Sequence, residues 1–325
     1  MMRFLVLLLC LMSAGKATAR VDTAIERARD WLVAQQRADG AIVDAANPLF
    51  ETWESVIAAR ALVHSRDHAH VAALQRSLEF LSAQRNADGL LCHNRRCRQA
   101  TCIETSAEYL QLLIDVGQRA QAAARWPALV AHQQADGRFL VGNPDVRERL
   151  DYASVTAFVV AVGERLHIDD DAMKHARIWL LEQQSASGDF GAAWEYYGTP
   201  AYALWPVLRG LSGNAGAQRK ARLRMLAWAG NSQNDDGSWA LAATGSARHV
   251  STALDTALML LALNQTAAPR DVIAPAEAAL LQLQSPDGHW HGGWFPIPSV
   301  RYQKREDVFA TAIAILALGD RRRAR

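Results

Sequence analysis

No unbroken apolar run in this 325-residue chain is long enough to cross a bilayer as a helix, which takes about 20 residues. A dominant charge is missing as well. Lysine and arginine number 35 against 33 aspartate and glutamate, and the net charge of +2 argues against nucleic acid as a bulk partner. There is no glycine-rich phosphate loop and no nucleophile elbow. Cysteine is scarce, with four in the whole chain. What remains is a chain half apolar and long enough to bury one large core.

A glycine usually preceded by aspartate recurs at Gly40, Gly89, Gly137, Gly188, Gly237 and Gly288, at intervals of 49, 48, 51, 49 and 51 residues. Regularity at this period marks a repeat architecture. Each repeat holds two helical patterns. In the first copy Ala24, Ala28, Trp31, Leu32 and Gln35 follow helical spacing, and Asp39-Gly40 stops the helix because glycine accepts the left-handed cap. A second run follows a short loop, from Glu54 to Val63, and recurs from Thr105 to Val116, Ser251 to Leu263 and Asp307 to Leu318. First helices carry more charge; second helices are nearly all Ala, Leu, Val, Ile and Thr. Helices apolar on every side are buried all round. The expectation is an all-α (α/α)6 toroid, a double-walled ring with the apolar helices inside. It fills residues 20–320 as one domain, and 321–325 form a charged tail.

Residues 1–19 read as a secretory signal. Arg3 precedes an apolar run from Phe4 to Met12, and Ala17-Thr18-Ala19 fits the small-x-small cleavage rule. Cys10 is followed by Leu11, which does not fit a lipidated N-terminus. The expectation is export to the periplasm or the extracellular space, with no stable membrane insertion. The mature chain then keeps Cys92, Cys97 and Cys102 in one inter-helix loop. Three cysteines allow at most one internal disulfide, and that is one reading in an oxidising compartment. The other is zinc held by the three thiolates and His93.

If the ring is right, the segments joining first to second helices emerge at one end of it. This rim collects Glu51, Glu54, Glu104, Asp151, Glu195 and Asp307, with Asp255 a turn deeper. Carboxylates favour helix N-termini by about 0.3–1 kcal/mol each, which alone explains single cases. Collectively they do more. Two carboxylates about 8 Å apart at an effective dielectric near 20 repel by roughly 2 kcal/mol, enough to raise a pKa by about 1.5 units, and a ring of them could hold a proton near neutrality for general-acid use. The same segments hold Arg95, Arg96, Arg98, Arg147, Arg149, Arg248, Arg301, Lys304 and Arg305, which suit an anionic ligand group. Aromatic residues crowd in too: Trp53, Tyr109, Tyr152, Trp194, Tyr196, Tyr197, Trp205, Trp294, Phe295 and Phe309. Most such rings serve packing, but an aromatic-lined cavity also suits a long apolar ligand and can steady a carbocation. Asp287, His289 and His291 alternate in an extended stretch and could share one face as a metal pair. Asp169-Asp170-Asp171 reads as an N-cap cluster.

An aromatic-Leu pair, a glutamine five residues after the aromatic, then Gly-x-Trp resembles the QW repeat of squalene and hopene cyclases. Trp31/Gln36, Trp179/Gln184 and Trp228/Gln233 stand in register, and the Gly-x-Trp ending occurs at Trp239 and Trp290. The chain is similar, over residues 22 to 319, to the terpenoid cyclase and protein prenyltransferase superfamily. That resemblance implies a toroid with a central cavity for an isoprenoid or lipid-like molecule, entered at the rim. Of the cyclases' Asp-x-Asp-Asp motif only the last acid is present, as Asp255, since Thr252 and Leu254 stand at the other acid positions and Ala253 at the variable one. Of the prenyltransferases' Asp-x-x-His-Thr motif, Asp307 and Thr311 match, while Ala310 replaces the zinc ligand.

The candidate acids are Asp255, Asp307, Glu104 and Asp151, and the candidate ligand contacts are Trp53, Glu54, Tyr109, Tyr152, Tyr197, Arg305 and Phe309. No cofactor is certain from the sequence, and zinc is the one candidate. Two rival readings share the fold: a polysaccharide hydrolase or lyase using two rim carboxylates, and a non-catalytic protein-binding scaffold with a filled centre.

Overall fold

The computed structural model describes residues 2–45, 48–142, 152–190, 199–211, 213, 216–241, 251–266, 268–292, 294–296, 303–305 and 307–320. Side chains are described for these except at 2–17, 48, 294–296, 303–305 and 320. Twelve α-helices run through the described residues. They are α1 (Met2–Ala34), α2 (Glu51–Leu62), α3 (His68–Ala83), α4 (Ile103–Asp115), α5 (Arg119–Val130) and α6 (Ala153–Leu166). The second half continues with α7 (Asp171–Glu182), α8 (Ala201–Gly210), α9 (Gly216–Asn231), α10 (Thr252–Asn264), α11 (Arg270–Gln282) and α12 (Asp307–Asp320).

The apolar composition of the second helices decides where they go. Every residue of α2 is buried, and so is each residue of α10 from Ala253 to Leu263. Such helices have no face to offer water. Outer helices show the complementary pattern: α3 buries His70, Ala73, Ser77, Phe80 and Leu81, a single stripe at helical spacing. Each even-numbered helix packs on the next, and α12 packs on α2, so the inner wall closes on itself. The starts are built locally. Asp67 caps α3 through the Ala69 and His70 amides, and Ser251 caps α10 through that of Leu254. Asp170 caps α7 at the Met173 amide (2.8 Å) while accepting from the Trp126 indole (3.1 Å).

One device joins neighbouring repeats. The Gln284 amide nitrogen donates to its own turn at Gly288 O and to Ala24 O on α1, both at 2.8 Å. Gln36 does the same with Gly40 O (3.0 Å) and Ala73 O on α3 (2.8 Å). Gln133, Gln184 and Gln233 repeat it, reaching Ala172, Ala221 and Val272 on the next outer helix. In the second repeat Arg85 stands where the glutamine would, and Arg125 of α5 donates to Gly89 O instead (3.2 Å). The turn glycine is needed for the same contact. Gly288 has φ +105°, and a Cβ there would lie 2.6 Å from the Arg27 carbonyl oxygen. Because the sixth clasp grips α1, the ring is shut by the same bonds that join its interior repeats.

Two features depart from the sequence pattern. A short antiparallel ribbon, β1 (Trp294–Pro296) with β2 (Gln303–Arg305), precedes α12 in an otherwise helical chain. The stretch expected to be a leader is continuous with the first outer helix in α1, and no described helix is long and apolar enough to cross a membrane.

Candidate functional site

A repeated hydroxyl fixes the depth of five of the six inner helices. In every repeat but the fourth, whose inner helix has no Ser or Thr, the residue two after the turn glycine donates its N–H to a hydroxyl on the inner helix of its own repeat. Ile42 donates to Ser55 (2.9 Å), Leu91 to Ser106 (3.0 Å) and Phe139 to Thr156 (3.0 Å). Trp239 donates to Thr256 and Trp290 to Thr311, both at 3.0 Å. These hydroxyls therefore lie at equivalent positions. Two residues earlier stand Trp53, Glu104, Ser154, Leu254 and Phe309, which must form one layer. The structure joins four of them in two pairs. The Trp53 and Phe309 rings lie 6.0 Å apart, and the Ser154 hydroxyl donates to Glu104 at 3.4 Å.

One turn deeper, Phe158 of α6 meets Trp53 of α2 edge-on at 6.0 Å, although α4 separates those helices in the inner wall. Phe158 also packs edge-on against Tyr202 (5.8 Å) and Trp205 (5.2 Å) of α8, and Tyr202 reaches Phe309 at 6.1 Å. The five rings thus meet across the middle of the toroid, and none is more than 3% exposed. Among the described residues the buried Trp205 indole N–H has no hydrogen-bond partner. Phe158 and Tyr202 were absent from the candidates. Repeat register is the signal that finds Phe158, four residues beyond Ser154.

The rim acids divide by what they hold. Three are braces for the descending loop. Glu54 accepts from the Asp44 amide (2.9 Å), Asp255 from that of Leu241 (2.6 Å) and Asp307 from that of Gly292 (3.0 Å). Those amides lie two residues beyond Ile42, Trp239 and Trp290, so one brace recurs in three repeats. Asp255 also accepts from the Thr199 hydroxyl, and Asp44 accepts from the Val308 amide across the closing seam (3.3 Å). Glu51 is consumed by ion pairs, with Arg95 at 2.6 Å and Arg37 at 3.0 Å. Arg95 is thereby an ion-pair partner rather than part of an anion-binding pool. Glu104 is the carboxylate that shares the layer of Trp53 and Phe309, and it is 2% exposed.

Charge also runs deeper than the sequence indicated. Glu108, one turn below Glu104, is fully buried and accepts from Arg60 of α2, with Arg209 of α8 at 3.6 Å. Arg60 donates to Asp115 as well (2.8 Å), and Arg165 of α6 donates to the same carboxylate (2.5 Å). Burial opposes the Asp115 charge, but the two guanidiniums outweigh it and hold its carboxyl below the usual range. Tyr109 is buried on α4 near Arg85 and Arg125, and burial pushes its phenol above the ordinary value. Tyr152 is half-buried at the start of α6.

Cys92 and Cys97 are joined by a disulfide and Cys102 is a buried thiol. That bond takes two thiolates away from the proposed zinc set with His93. Burial pushes the Cys102 thiol up to about 11. The other His/carboxylate group differs. His289 Nδ1 bonds Asp287 (2.5 Å), His289 Nε2 faces His291 Nδ1 (3.1 Å), and Asp307 lies beside both rings. Asp151, Tyr197, Glu195, Trp194, Tyr196, Arg147, Arg149, Arg248 and Arg301 lie outside the described residues. The Arg305 backbone pairs with Trp294, but the side chains of Trp294, Phe295, Lys304 and Arg305 lie outside them too.

No family model matches the chain. The type II terpene cyclase MstE from Scytonema is similar in structure, with a TM-score of 0.75 over 92% of this chain and 98% of that one, at 18% identity. A variant of MstE in complex with its substrate geranylgeranyl dihydroxybenzoate gives 0.76 over 94% and 99%, at 18% identity. A possible member of the GH105 family from Salmonella enterica gives 0.68 over 94% of each chain, at 11% identity. In sequence the chain is 30% identical over 134 residues to copalyl diphosphate synthase from Streptomyces cyslabdanicus. That match spans 40% of this chain and 24% of that relative, so only about a quarter of the relative is covered. The chain has the helical toroid fold of the terpenoid cyclase-like proteins.

Proposed function

We propose that this protein is an exported terpene cyclase-like toroid that takes an elongated apolar, isoprenoid-like molecule into its ring, with Glu104 as the proton donor. The observation that carries the proposal is the layer of Glu104, Ser154, Trp53 and Phe309. It puts one buried carboxylate at the same level of the inner wall as Trp53 and Phe309. In its carboxylic acid form, Glu104 would donate a proton to a ligand double bond. A C–H bond forms and a carbocation is left, which Trp53, Phe158 and Phe309 stabilise by about 2 kcal/mol per desolvated contact. Loss of a proton from the product cation would restore the acid. Asp255 and Asp307 are braces in this reading, not donors. MstE offers a chemical precedent among similar folds, since the complex of its variant holds geranylgeranyl dihydroxybenzoate as substrate. Export rests on residues 1–19, and the Cys92–Cys97 disulfide suits an oxidising compartment.

The five rings fill the middle of the toroid, so a ligand gains its room by moving them. Titrating the full chain with geranylgeranyl dihydroxybenzoate and a series of linear polyprenols, read by tryptophan fluorescence, should give saturable quenching that Trp53→Ala diminishes. Glu104→Gln should bind with similar affinity and abolish turnover. Absence of saturable binding across the series, in folded protein, defeats the proposal. The filled centre favours the scaffold as the second reading, and that negative result would leave it standing. Sugar chemistry finds less support, because it needs an open aromatic groove and these rings are buried.

A further inference from the structure

We propose that His289, His291 and Asp307 form a site for a divalent transition-metal ion, zinc above all, at the seam where the sixth repeat meets the first. The spacing of donor atoms is the first ground. Zinc binds nitrogen and oxygen at about 2.0–2.1 Å in a tetrahedron, whose edge is then about 3.3–3.4 Å. The three edges here are 3.1 Å (His289 Nε2 to His291 Nδ1), 3.6 Å (His291 Nδ1 to Asp307 Oδ1) and 3.9 Å (His289 Nε2 to Asp307 Oδ2). One donor atom from each residue lies within 4.8 Å of the others. An ion at their centre requires side-chain shifts of a few tenths of an ångström.

The second ground is how the ligands are held. Metal-bound histidines commonly give their other ring nitrogen to a carboxylate, which fixes tautomer and orientation. His289 does this: Nδ1 lies 2.5 Å from Asp287 Oδ1, which leaves Nε2 as the lone-pair donor facing His291 and Asp307. The same ring is stacked on Trp31 of α1, with centroids 4.9 Å apart and planes 23° from parallel. Asp307 is steadied by the Gly292 amide at 3.0 Å. His291 is anchored through its backbone, whose carbonyl accepts from Ser251 at 2.5 Å, while its side chain is 60% exposed. His289 is thus oriented by Asp287 and by Trp31 across the closing seam, Asp307 by the Gly292 amide, and His291 through its backbone with its ring facing solvent.

Three protein ligands leave at least one position open, the pattern of zinc sites that bind an exchangeable water or anionic oxygen ligand. The inference does not depend on what the lumen takes up. Nor does it reuse the cysteine loop, where the disulfide has removed the thiolates.

The test is metal binding by the tag-free full chain, disulfide intact, after chelator treatment. Titration with cobalt(II) should give visible d–d absorption that saturates at one equivalent and is displaced by zinc. His291→Ala removes an exposed side chain that the core does not use, and should abolish the signal while thermal unfolding of the metal-free protein is unchanged. Asp287→Asn touches no metal and should weaken affinity about 10–100-fold, the usual effect of losing such a supporting carboxylate. No saturable binding, or cobalt binding that His291→Ala leaves intact, overturns the proposal in favour of a plain hydrogen-bond relay from Asp287 to Asp307.

Discussion

Closure of the ring can be tested at one side chain. In Gln284→Ala the two bonds from Nε2 to Ala24 O and Gly288 O are lost, with the bond that Arg27 donates to Oε1. At a net of about 1 kcal/mol for each of the two buried-carbonyl bonds, plus a partial desolvation penalty at those carbonyls, the expected loss is about 2–3 kcal/mol. The comparison that matters is Gln184→Ala. Its amide makes the same pair of bonds within the ring, to Ala221 O and Gly188 O at 2.9 Å, and Arg224 donates to its oxygen as Arg27 does to that of Gln284. In a closed toroid the two substitutions cost the same. In an open arc Gln284 faces water and Gln284→Ala costs only a few tenths of a kcal/mol. Urea unfolding followed by circular dichroism, with equal m-values, measures both. A loss at Gln184 without one at Gln284 would refute the closed ring, and with it the pairing of Trp31 with His289.

Two further expectations follow from the electrostatics and the cross-link. Asp115 has a folded pKa depressed below its unfolded value, so its stabilisation is complete above about pH 4 and is lost as pH falls further, through the folded pKa. Asp115→Asn should therefore flatten the acid limb of the stability–pH curve; an acid limb identical to that of the unsubstituted protein would show that the Arg60 and Arg165 pairs contribute nothing. The Cys92–Cys97 disulfide spans a sequence separation of 5, and closing so short a loop constrains the unfolded chain by about 2 kcal/mol. Reduction should lower the unfolding free energy by that amount and add two titratable thiols, while Cys102 reacts only on unfolding; three reactive thiols in folded, non-reduced protein would contradict the assignment.

Much of the repeat geometry was legible because it is local. Glycine spacing, the helical stripe of α3 and the apolar run of α10 each report a single element. The positions two before the hydroxyls are also legible by alignment of the repeats, which sets Glu104 at the level of Trp53 and Phe309. The roles of the acids were not legible. Asp255, Asp307 and Glu54 look alike in sequence to catalytic acids at helix starts, and only the loop amides they grip identify them as braces. Arg60 and Glu108 sit inside apolar helices, where a sequence shows charge but not its partner on another helix.

The sequence by itself determined a six-repeat ring of helical hairpins, because hydrophobic period, turn glycines and clasp glutamines act within one repeat and its neighbour. Only tertiary structure decided what meets across that ring: Trp53 with Phe158, Glu108 with Arg60, and the first repeat's Trp31 with the sixth's His289. Those contacts join residues far apart in the chain, and their distances depend on how six small rotations between hairpins add up, which no single repeat encodes.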